Sequence, residues 1–231
     1  MVNNAEQIYQ KIAEKYDFLN HFFSLYIDVL WRKKLFRLIS PSSRDKVLDV
    51  CTGTGDIAIE IKSRADSTVI GLDISREMLE VAKRKTSQNG LKIPFVIGDA
   101  LEMPVKDSSF DVVTIGFGLR NLPDYEKGIS EMARSLKKGG RIFILEFAPP
   151  EKNLFGFFYW IYLRYIMPFV GGIIAGVKDD YRELAVSIKG FLTPDQMVEM
   201  LKNHGFVDVR ATRLTFGIAY IYTGRLENSG K

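Results

Sequence analysis

A turn with two glycines, placed between an apolar segment and a helix-like segment, carries the strongest chemical signal in the sequence. The apolar segment Val47-Leu48-Asp49-Val50 is typical of a buried strand. Glycines in the turn let a ligand lie against bare backbone, and the N-terminus of the next helix offers unpaired N–H groups. We therefore predict that Gly53, Thr54 and Gly55 line a ligand site. A tight strand–helix turn without a ligand is the alternative.

Three carboxylates lie at or near the ends of successive predicted strands, and they indicate which ligand the site takes. The glycine pattern from Gly53 to Ala58 also fits that of a dinucleotide-binding site. Asp73 would bind the ribose of any adenosine ligand, so it does not discriminate. Asp49 discriminates, because a carboxylate there would repel a pyrophosphate but suits the cationic amine of S-adenosylmethionine. Asp99 can accept a hydrogen bond from an adenine amine. The sequence therefore predicts an S-adenosylmethionine site, and an NAD-dependent oxidoreductase is the alternative from another class.

Short apolar segments alternate with helix-like segments over most of the chain, which predicts a parallel sheet covered by helices on both faces. The right-handed crossover rule then gives a doubly wound topology. Residues 5–39 predict two helices, residues 41–226 the main domain and residues 227–231 a flexible tail. The predicted strands are 47–50, 68–73, 94–98, 110–115, 141–147, 206–212 and 215–222, and the later helices include 76–87, 125–136 and 193–203.

An aromatic-rich segment at residues 154–175 departs from this alternation, within a predicted helical insertion at about 151–190. Its length is close to the ~20 residues that span a bilayer. However, Arg164 lies in its middle, and Pro168 and Gly171-Gly172 should interrupt a helix. We expect a cover over the substrate pocket that receives an apolar tail or touches a membrane surface, with ordinary packing as the alternative.

Composition excludes several classes. The 231 residues carry 32 Lys and Arg against 28 Asp and Glu, a net charge of +4 that predicts no nucleic-acid partner. The clusters 32–34 and 83–85 are expected to be solvated helix faces, with a membrane or polyanion surface as the alternative. A single cysteine, Cys51, and two histidines cannot form a disulfide or a spaced metal-ligand set, so no metal is predicted. Cytoplasmic localisation is the expectation, because the N-terminus lacks a signal peptide.

Further motifs resemble those of the UbiE/MenG family of class I methyltransferases. They are Tyr16-Asp17-Phe18-Leu19-Asn20, Phe117-Gly118-Leu119-Arg120-Asn121, Glu146-Phe147-Ala148-Pro149-Pro150 and the segment 181–188 followed by Phe191. The resemblance spans nearly the whole chain. It implies a Rossmann-like α/β fold with a seven-stranded, mostly parallel sheet and an N-terminal helical cap over residues 1–40. It also implies C-methylation of the ring of a ubiquinone or menaquinone precursor.

The resemblance assigns roles to particular residues. Arg120 and Asn121 are the expected catalytic residues, Arg120 facing the acceptor, with a structural salt bridge and a helix cap as the respective alternatives. Residues 16, 17 and 20 could close over the donor. The family's donor contacts, with the glycine turn and Asp49, give an expected cofactor set of Asp49, Gly53, Thr54, Gly55, Asp73, Ile74, Asp99, Ala100 and Gly116.

Some positions depart from the family pattern. Gly116 stands where a serine is usual, and Tyr26 and Asp28 stand where a glycine and a histidine precede Trp31. Leu192 replaces a usual proline. The expected acceptor is a polyprenyl quinol, and another hydrophobic or phenolic small molecule is the alternative. The oligomeric state is left open, with a homodimer as one alternative.

Overall fold

A computed structural model describes residues 23, 24, 26–175 and 178–227, without the side chains of 171 and 173–180. Seven strands in this part of the chain form one sheet with the order β3-β2-β1-β4-β5-β7-β6. The first five are parallel, and β7 is antiparallel to both β5 and β6. The strands are β1 (Lys46–Val50), β2 (Thr68–Asp73), β3 (Phe95–Ile97), β4 (Phe110–Gly116), β5 (Leu136–Phe147), β6 (Phe206–Leu214) and β7 (Ala219–Leu226).

Helices cover both faces of this sheet, as predicted. Side chains alternate along each strand, so that Leu48 and Val50 belong to one apolar core and Val47 belongs to the other. The predicted start of the helix at Thr193 is confirmed, since Thr193 and Gln196 form a capping box. The helices are α1 (Ile27–Ile39), α2 (Asp56–Arg64), α3 (Arg76–Gln88), α4 (Tyr125–Ser135), α5 (Leu154–Ile161), α6 (Met167–Ala175), α7 (Lys178–Gly190) and α8 (Pro194–Asn203).

Helix α1 lies within the helical region that was predicted for residues 5–39. Trp31, Leu35 and Ile39 are buried, whereas Leu30 and Leu38 are 62% and 39% exposed. The spacing of four residues aligns the buried side chains toward the sheet. The rest of the predicted N-terminal cap, including residues 16, 17 and 20, lies outside the described residues.

The two ends of the sheet differ from the sequence-based boundaries. The predicted last strand, 215–222, was wrong: Thr215–Gly217 forms a 3₁₀ turn, with φ of 55° at Phe216 and 93° at Gly217, and β7 runs from Ala219 to Leu226. Strand β5 begins at Leu136, but the residue opposite β4 jumps from Leu136 to Arg141. The intervening residues form a bulge, in the gap between the helix predicted to end at residue 136 and the strand predicted to begin at residue 141.

The aromatic segment is helical through the proline that was expected to interrupt it. A π-helical turn, Tyr162–Ile166, joins α5 to α6, and Pro168 is the second residue of α6. A π-helical turn accommodates a residue that lacks an N–H donor. In the part of the chain that the structure describes, no helix is both long and apolar enough to cross a bilayer.

Candidate active site

The glycine turn after β1 is held open by a carboxylate from β2. Gly53 and Gly55 have φ of 55° and 85°, in the left-handed region that favours glycine. The backbone N–H of Gly53 donates to Oδ2 of Asp73 over 2.7 Å, and the N–H of Ser75 donates to Oδ1 over 2.9 Å. A Cβ placed on Gly53 would meet no atom within 4 Å. The turn therefore presents open backbone beside the Asp73 carboxylate.

Asp49 lies beneath this turn, not on its open surface. It is 1% exposed, and its two oxygens accept hydrogen bonds from the hydroxyls of Thr52 (2.6 Å) and Thr114 (2.7 Å). Burial raises its pKa from 3.8 to about 6, although both hydroxyls oppose the rise. The structure thus supplies a buried negative charge under the site, which a cation above it would stabilise.

The third carboxylate and two apolar side chains form the outer part of the same edge. Asp99 is exposed, and its Oδ1 accepts a hydrogen bond from the N–H of Leu101 over 2.8 Å, while Ala100 is buried. Ile74 and Ile97, at the ends of β2 and β3, are each 48% exposed. Sequence reasoning missed Ile97, because an apolar residue in a short strand resembles core. Together they offer a flat ring an apolar surface beside a hydrogen-bond acceptor.

An ion-pair chain connects the glycine turn to α1. Lys85 on α3 donates to Oγ1 of Thr54 over 3.3 Å and forms an ion pair with Asp56. Arg32 pairs with Asp56 over 3.4 Å and with Asp28 over 2.6 Å. The basic clusters containing Arg32 and Lys85 were expected to be solvated, and for these two residues that was wrong. Their ion pairs hold the glycine turn against α1 and α3.

The turn after β4 is tightly packed. A Cβ on Gly116 would collide with Cδ1 of Ile57, so the Ile57 side chain occupies the space that a serine would need. A Cβ on Gly118 would approach the Cβ of Cys51 to 2.5 Å. Burial raises the pKa of the Cys51 thiol, and nearby carboxylates raise it further, so the thiol stays neutral. Phe117, between the glycines, has φ of 57°, a strained conformation for a bulky residue.

A largely apolar cavity of about 530 Å³ lies beside this turn, within the size range of small-molecule sites. Its walls come from α1, the turn after β4, the end of β5 and the helices α5 to α7. On one side the rings of Phe117 and Phe147 lie 4.7 Å apart, and Trp31 lies about 6 Å from both. The indole N–H of Trp31 donates to Oγ1 of Thr215 over 2.8 Å, which fixes its orientation.

Arg120 borders this cavity with a buried counter-charge. Its Nη1 donates to Oε1 of Glu146 over 2.8 Å and to the carbonyl of Phe117, and its backbone N–H donates to Oε2 of Glu146. The two side chains are 5% and 0% exposed. The guanidinium carbon lies 5.3 Å from the centre of the Phe147 ring. The arrangement fixes the Arg120 cation at the wall of a largely apolar cavity, whose lining also includes Asp28 and Arg32.

Comparison with known proteins agrees with this arrangement. A sequence profile described as the ubiE/COQ5 methyltransferase family matches residues 2–225. The chain belongs to this family. As a member it is an S-adenosylmethionine-dependent methyltransferase, and the predicted family and enzyme class are confirmed.

Similar proteins match over nearly their whole length. Demethylmenaquinone methyltransferase of Thermus thermophilus is 42% identical over 94% of this chain and 99% of its own. The protein of the same name from Thermotoga maritima is 43% identical over 96% of both chains. That from Staphylococcus aureus is 40% identical over 97% of this chain and 95% of its own.

Solved structures share the fold at low sequence identity. An S-adenosylmethionine-dependent methyltransferase from Thermotoga maritima has a TM-score of 0.69 at 17% identity, over 96% of this chain and 99% of its own. Phosphoethanolamine N-methyltransferase 2 of Haemonchus contortus, in complex with S-adenosylhomocysteine, has a TM-score of 0.66 at 17% identity, over 86% and 52%. The predicted Rossmann-like methyltransferase fold is confirmed.

The two expected catalytic residues differ in their position relative to the cavity. Arg120 lines the cavity, whereas Asn121 does not border it. The Asn121 amide donates to the carbonyl of Phe117 over 3.3 Å, across the 3₁₀ turn Leu119–Asn121. This contact ties the Asn121 side chain to the turn, and both the catalytic role and the helix cap expected for Asn121 stay predictions. For Arg120, the salt bridge with Glu146 and the position in the cavity wall occur together.

Sequence reasoning gave no role to two residues, one that holds Arg120 and one that borders the cavity. Glu146 holds Arg120, and a charged residue at the end of an apolar strand was the signal that could have found it. Tyr159 borders the cavity but was grouped with the other aromatic residues of its segment. Asp28, which replaces a usual histidine, accepts hydrogen bonds from Ser24 and Arg32 at the cavity edge.

Proposed function

We propose that this enzyme transfers a methyl group from S-adenosylmethionine to a ring carbon of demethylmenaquinol. The observation that carries the proposal is the likeness, at 40–43% identity over 94–97% of the chain, to proteins named demethylmenaquinone methyltransferase. The apolar cavity beside Arg120 supports an aromatic acceptor of this size.

The chemistry is an in-line displacement. A quinol ring carbon attacks the methyl carbon, the C–S bond breaks with its electron pair moving to sulfur, and the sulfonium becomes a neutral thioether. The same ring carbon then loses its proton to solvent, which restores the aromatic ring. The main tasks of the protein are to align the two reactants and to exclude water.

The donor lies at the edge formed by the ends of β1 to β4. In this proposal the ribose hydroxyls donate to Asp73, which has lone pairs beyond those used by two backbone N–H groups. Asp49 attracts the cationic amino group from beneath. The remaining proposed donor contacts are the backbone of Gly53, Thr54, Gly55, Ala100 and Gly116, the side chain of Asp99 and the apolar surface of Ile74.

The acceptor ring occupies the cavity against Phe117 and Phe147. Arg120 stabilises the negative charge on the quinol oxygen that activates the neighbouring carbon, while Glu146 fixes the direction of the guanidinium. A guanidinium is a poor base, so Arg120 supplies charge and not proton abstraction. Residues 151–190 are then the acceptor-binding insertion of a methyltransferase domain spanning 41–226. Asn121 acts on the turn that carries Arg120.

The cavity mouth opens toward an apolar surface. Phe155, Phe158 and Ile166 border the cavity and are also 39%, 59% and 48% exposed. Phe157 and Phe169 extend the surface outward, at 57% and 64% exposed. Exposed apolar patches of this kind bind other apolar surfaces. We include in the proposal that this surface contacts the membrane, where a polyprenyl tail resides, without spanning it.

The activity is tested by incubation with labelled S-adenosylmethionine and a panel of acceptors, read by mass spectrometry. The panel contains demethylmenaquinol, a demethylated ubiquinol precursor and a simple phenol. Methylation of demethylmenaquinol at a ring carbon, with higher kcat/KM than the others, is expected. Methylation of the simple phenol alone would replace this proposal with the broader phenolic acceptor class.

Membrane contact is tested separately by sedimentation with phospholipid vesicles. The double variant Phe157→Ser and Phe169→Ser should lose vesicle binding. Leu30→Ser is the matched control, because Leu30 is 62% exposed on α1 and does not border the cavity. Equal sedimentation of all three proteins would contradict the membrane contact.

A further inference from the structure

The Tyr159 hydroxyl is buried at the acceptor cavity without a partner. Tyr159 lies on α5, is 8% exposed and borders the cavity. Its hydroxyl has no hydrogen-bond partner among the residues that the structure describes. A buried polar group in that state costs free energy, and natural proteins retain few of them. A phenylalanine at this position would pack equally well and would leave no polar group unpaired. A ligand that forms a hydrogen bond with the hydroxyl accounts for the presence of tyrosine.

Other tyrosines show what a structural role looks like in this protein. The Tyr162 hydroxyl, one turn further along the same segment, donates to the carbonyl of Phe23 over 2.8 Å. The Tyr220 hydroxyl lies 3.5 Å from Oε1 of Glu151. The Tyr222 hydroxyl is also buried without a partner in the described chain, but Tyr222 belongs to the core under β7 and does not border the cavity. Tyr159 therefore lies in the cavity wall and has a hydroxyl without a hydrogen-bond partner in the described chain.

Arg120 is the charged group that acts on Tyr159. Burial raises the pKa of Tyr159, and the positive charge of Arg120 only partly opposes this. The phenol therefore stays protonated at neutral pH and is a hydrogen-bond donor. Arg120 is a second donor in the same wall, fixed by Glu146. Arg120 and Tyr159 thus place two hydrogen-bond donors in the cavity wall, which suits an electron-rich oxygen.

We propose that the Tyr159 hydroxyl donates a hydrogen bond to the ring oxygen of the acceptor that Arg120 also faces. The inference rests on the proposed function and names a further residue that contacts the acceptor. A hydrogen bond to a charged oxygen is stronger than one to a neutral carbonyl, so the contact strengthens as negative charge gathers on the oxygen. Tyr159 thereby selects acceptors with a hydroxyl beside the carbon that is methylated.

Tyr159→Phe removes only the hydroxyl and tests the proposal in the full-length enzyme. We expect kcat/KM for demethylmenaquinol to fall by about 10- to 100-fold, the range for loss of a hydrogen bond to a charged group. The Kd for S-adenosylmethionine should not change. The Tm of the ligand-free enzyme should rise by about 2 °C or more, because an unmet buried hydroxyl has been removed. Tyr165→Phe is the matched control, since Tyr165 is 64% exposed on the same segment and does not border the cavity.

The two measurements separate acceptor recognition from packing. Lower activity with a higher Tm supports the proposal. Lower activity with an equal or lower Tm overturns it, because the hydroxyl would then have a structural role in the ligand-free enzyme. Equal kcat/KM in Tyr159→Phe and the wild type overturns the proposal and leaves the proposed function intact. A wild-type enzyme that methylates no quinol overturns both.

Discussion

The variant Asp49→Asn tests whether the buried Asp49 carboxylate lowers the stability of the ligand-free protein while it strengthens donor binding. Burial raises the pKa of Asp49 from 3.8 to about 6 in the folded chain. At 1.36 kcal/mol for each pKa unit, ionising Asp49 at neutral pH costs the folded state about 3 kcal/mol. Asparagine has nearly the same shape and carries no charge. We expect it to raise the free energy of unfolding at pH 7.5.

The sign of the pH dependence follows from the raised pKa. Well below pH 3.8, Asp49 is protonated in both folded and unfolded chains, and its contribution to stability is fully present. As the pH rises toward 6 the unfolded chain loses the proton first, so that stability is lost, and above about pH 6 the loss is complete. The stability gain of the variant should therefore be largest at pH 7.5 and should shrink by about 2 kcal/mol toward pH 4.

Urea unfolding of both proteins without ligand, at pH 4, 5, 6 and 7.5, measures this difference directly. Comparing variant with wild type at each pH cancels the titration of the other carboxylates. The loss of a hydrogen-bond acceptor for Thr52 or Thr114 would lower the whole curve by roughly 1 kcal/mol without changing its slope. A stability difference that is the same at every pH would refute the raised pKa.

Donor affinity should respond in the opposite direction. A bound cationic amine favours ionised Asp49, so wild-type affinity for S-adenosylmethionine should rise about tenfold between pH 5 and pH 7.5. Asp49→Asn should bind the donor more weakly at pH 7.5 and show a flatter profile. Calorimetry at the two pH values checks both statements. Equal wild-type affinity at both would remove Asp49 from the donor site.

Asp73→Asn should retain the fold and weaken S-adenosylmethionine binding by about 1.5–3 kcal/mol, because a charged hydrogen-bond acceptor becomes a neutral one. Calorimetry measures this change, and unchanged affinity would contradict the ribose-binding role of Asp73. Arg120→Ala should destabilise the protein by about 3–5 kcal/mol in urea unfolding, because Glu146 is left buried and unpaired. The double variant Arg120→Met and Glu146→Gln should recover much of that stability yet stay inactive with normal donor affinity, and recovered activity would assign Arg120 a structural role only. Gly118→Ala should lower stability by about 1–3 kcal/mol through its contact with Cys51, and a neutral result in thermal unfolding would contradict the tight packing.

The alternation of elements, and the placement of the candidate donor residues at one edge of the sheet, could be predicted from local sequence. The hydrophobic periodicity of a strand or a helix is visible in neighbouring residues. Parallel strands in turn bring their carboxyl ends to one edge of the sheet. This is why Gly53, Asp73 and Asp99, each separated from the next by 20 or more positions, were expected together, and the sheet brings them to that edge. The cap at Thr193 was readable for the same reason, since a capping box lies within four residues.

Element boundaries set by pairing could not be read in this way. Thr215 and Phe216 have strand-like character, but the chain must turn there before β7 can pair with β6 and β5 in the antiparallel sense. Likewise the buried face of α1 depends on what lies beneath it, including the hydrogen bond from Trp31 to Thr215, 184 residues away.

The acceptor cavity was decided by tertiary structure. Sequence alone identified Arg120 through a motif, but its partner Glu146 is 26 residues away, on the neighbouring strand. Tyr159 could not be distinguished from the surrounding aromatic residues until the helices were placed against the end of the sheet. Periodicity fixes which face a side chain lies on, whereas the charge that acts on it and the partner it lacks depend on residues distant in the chain.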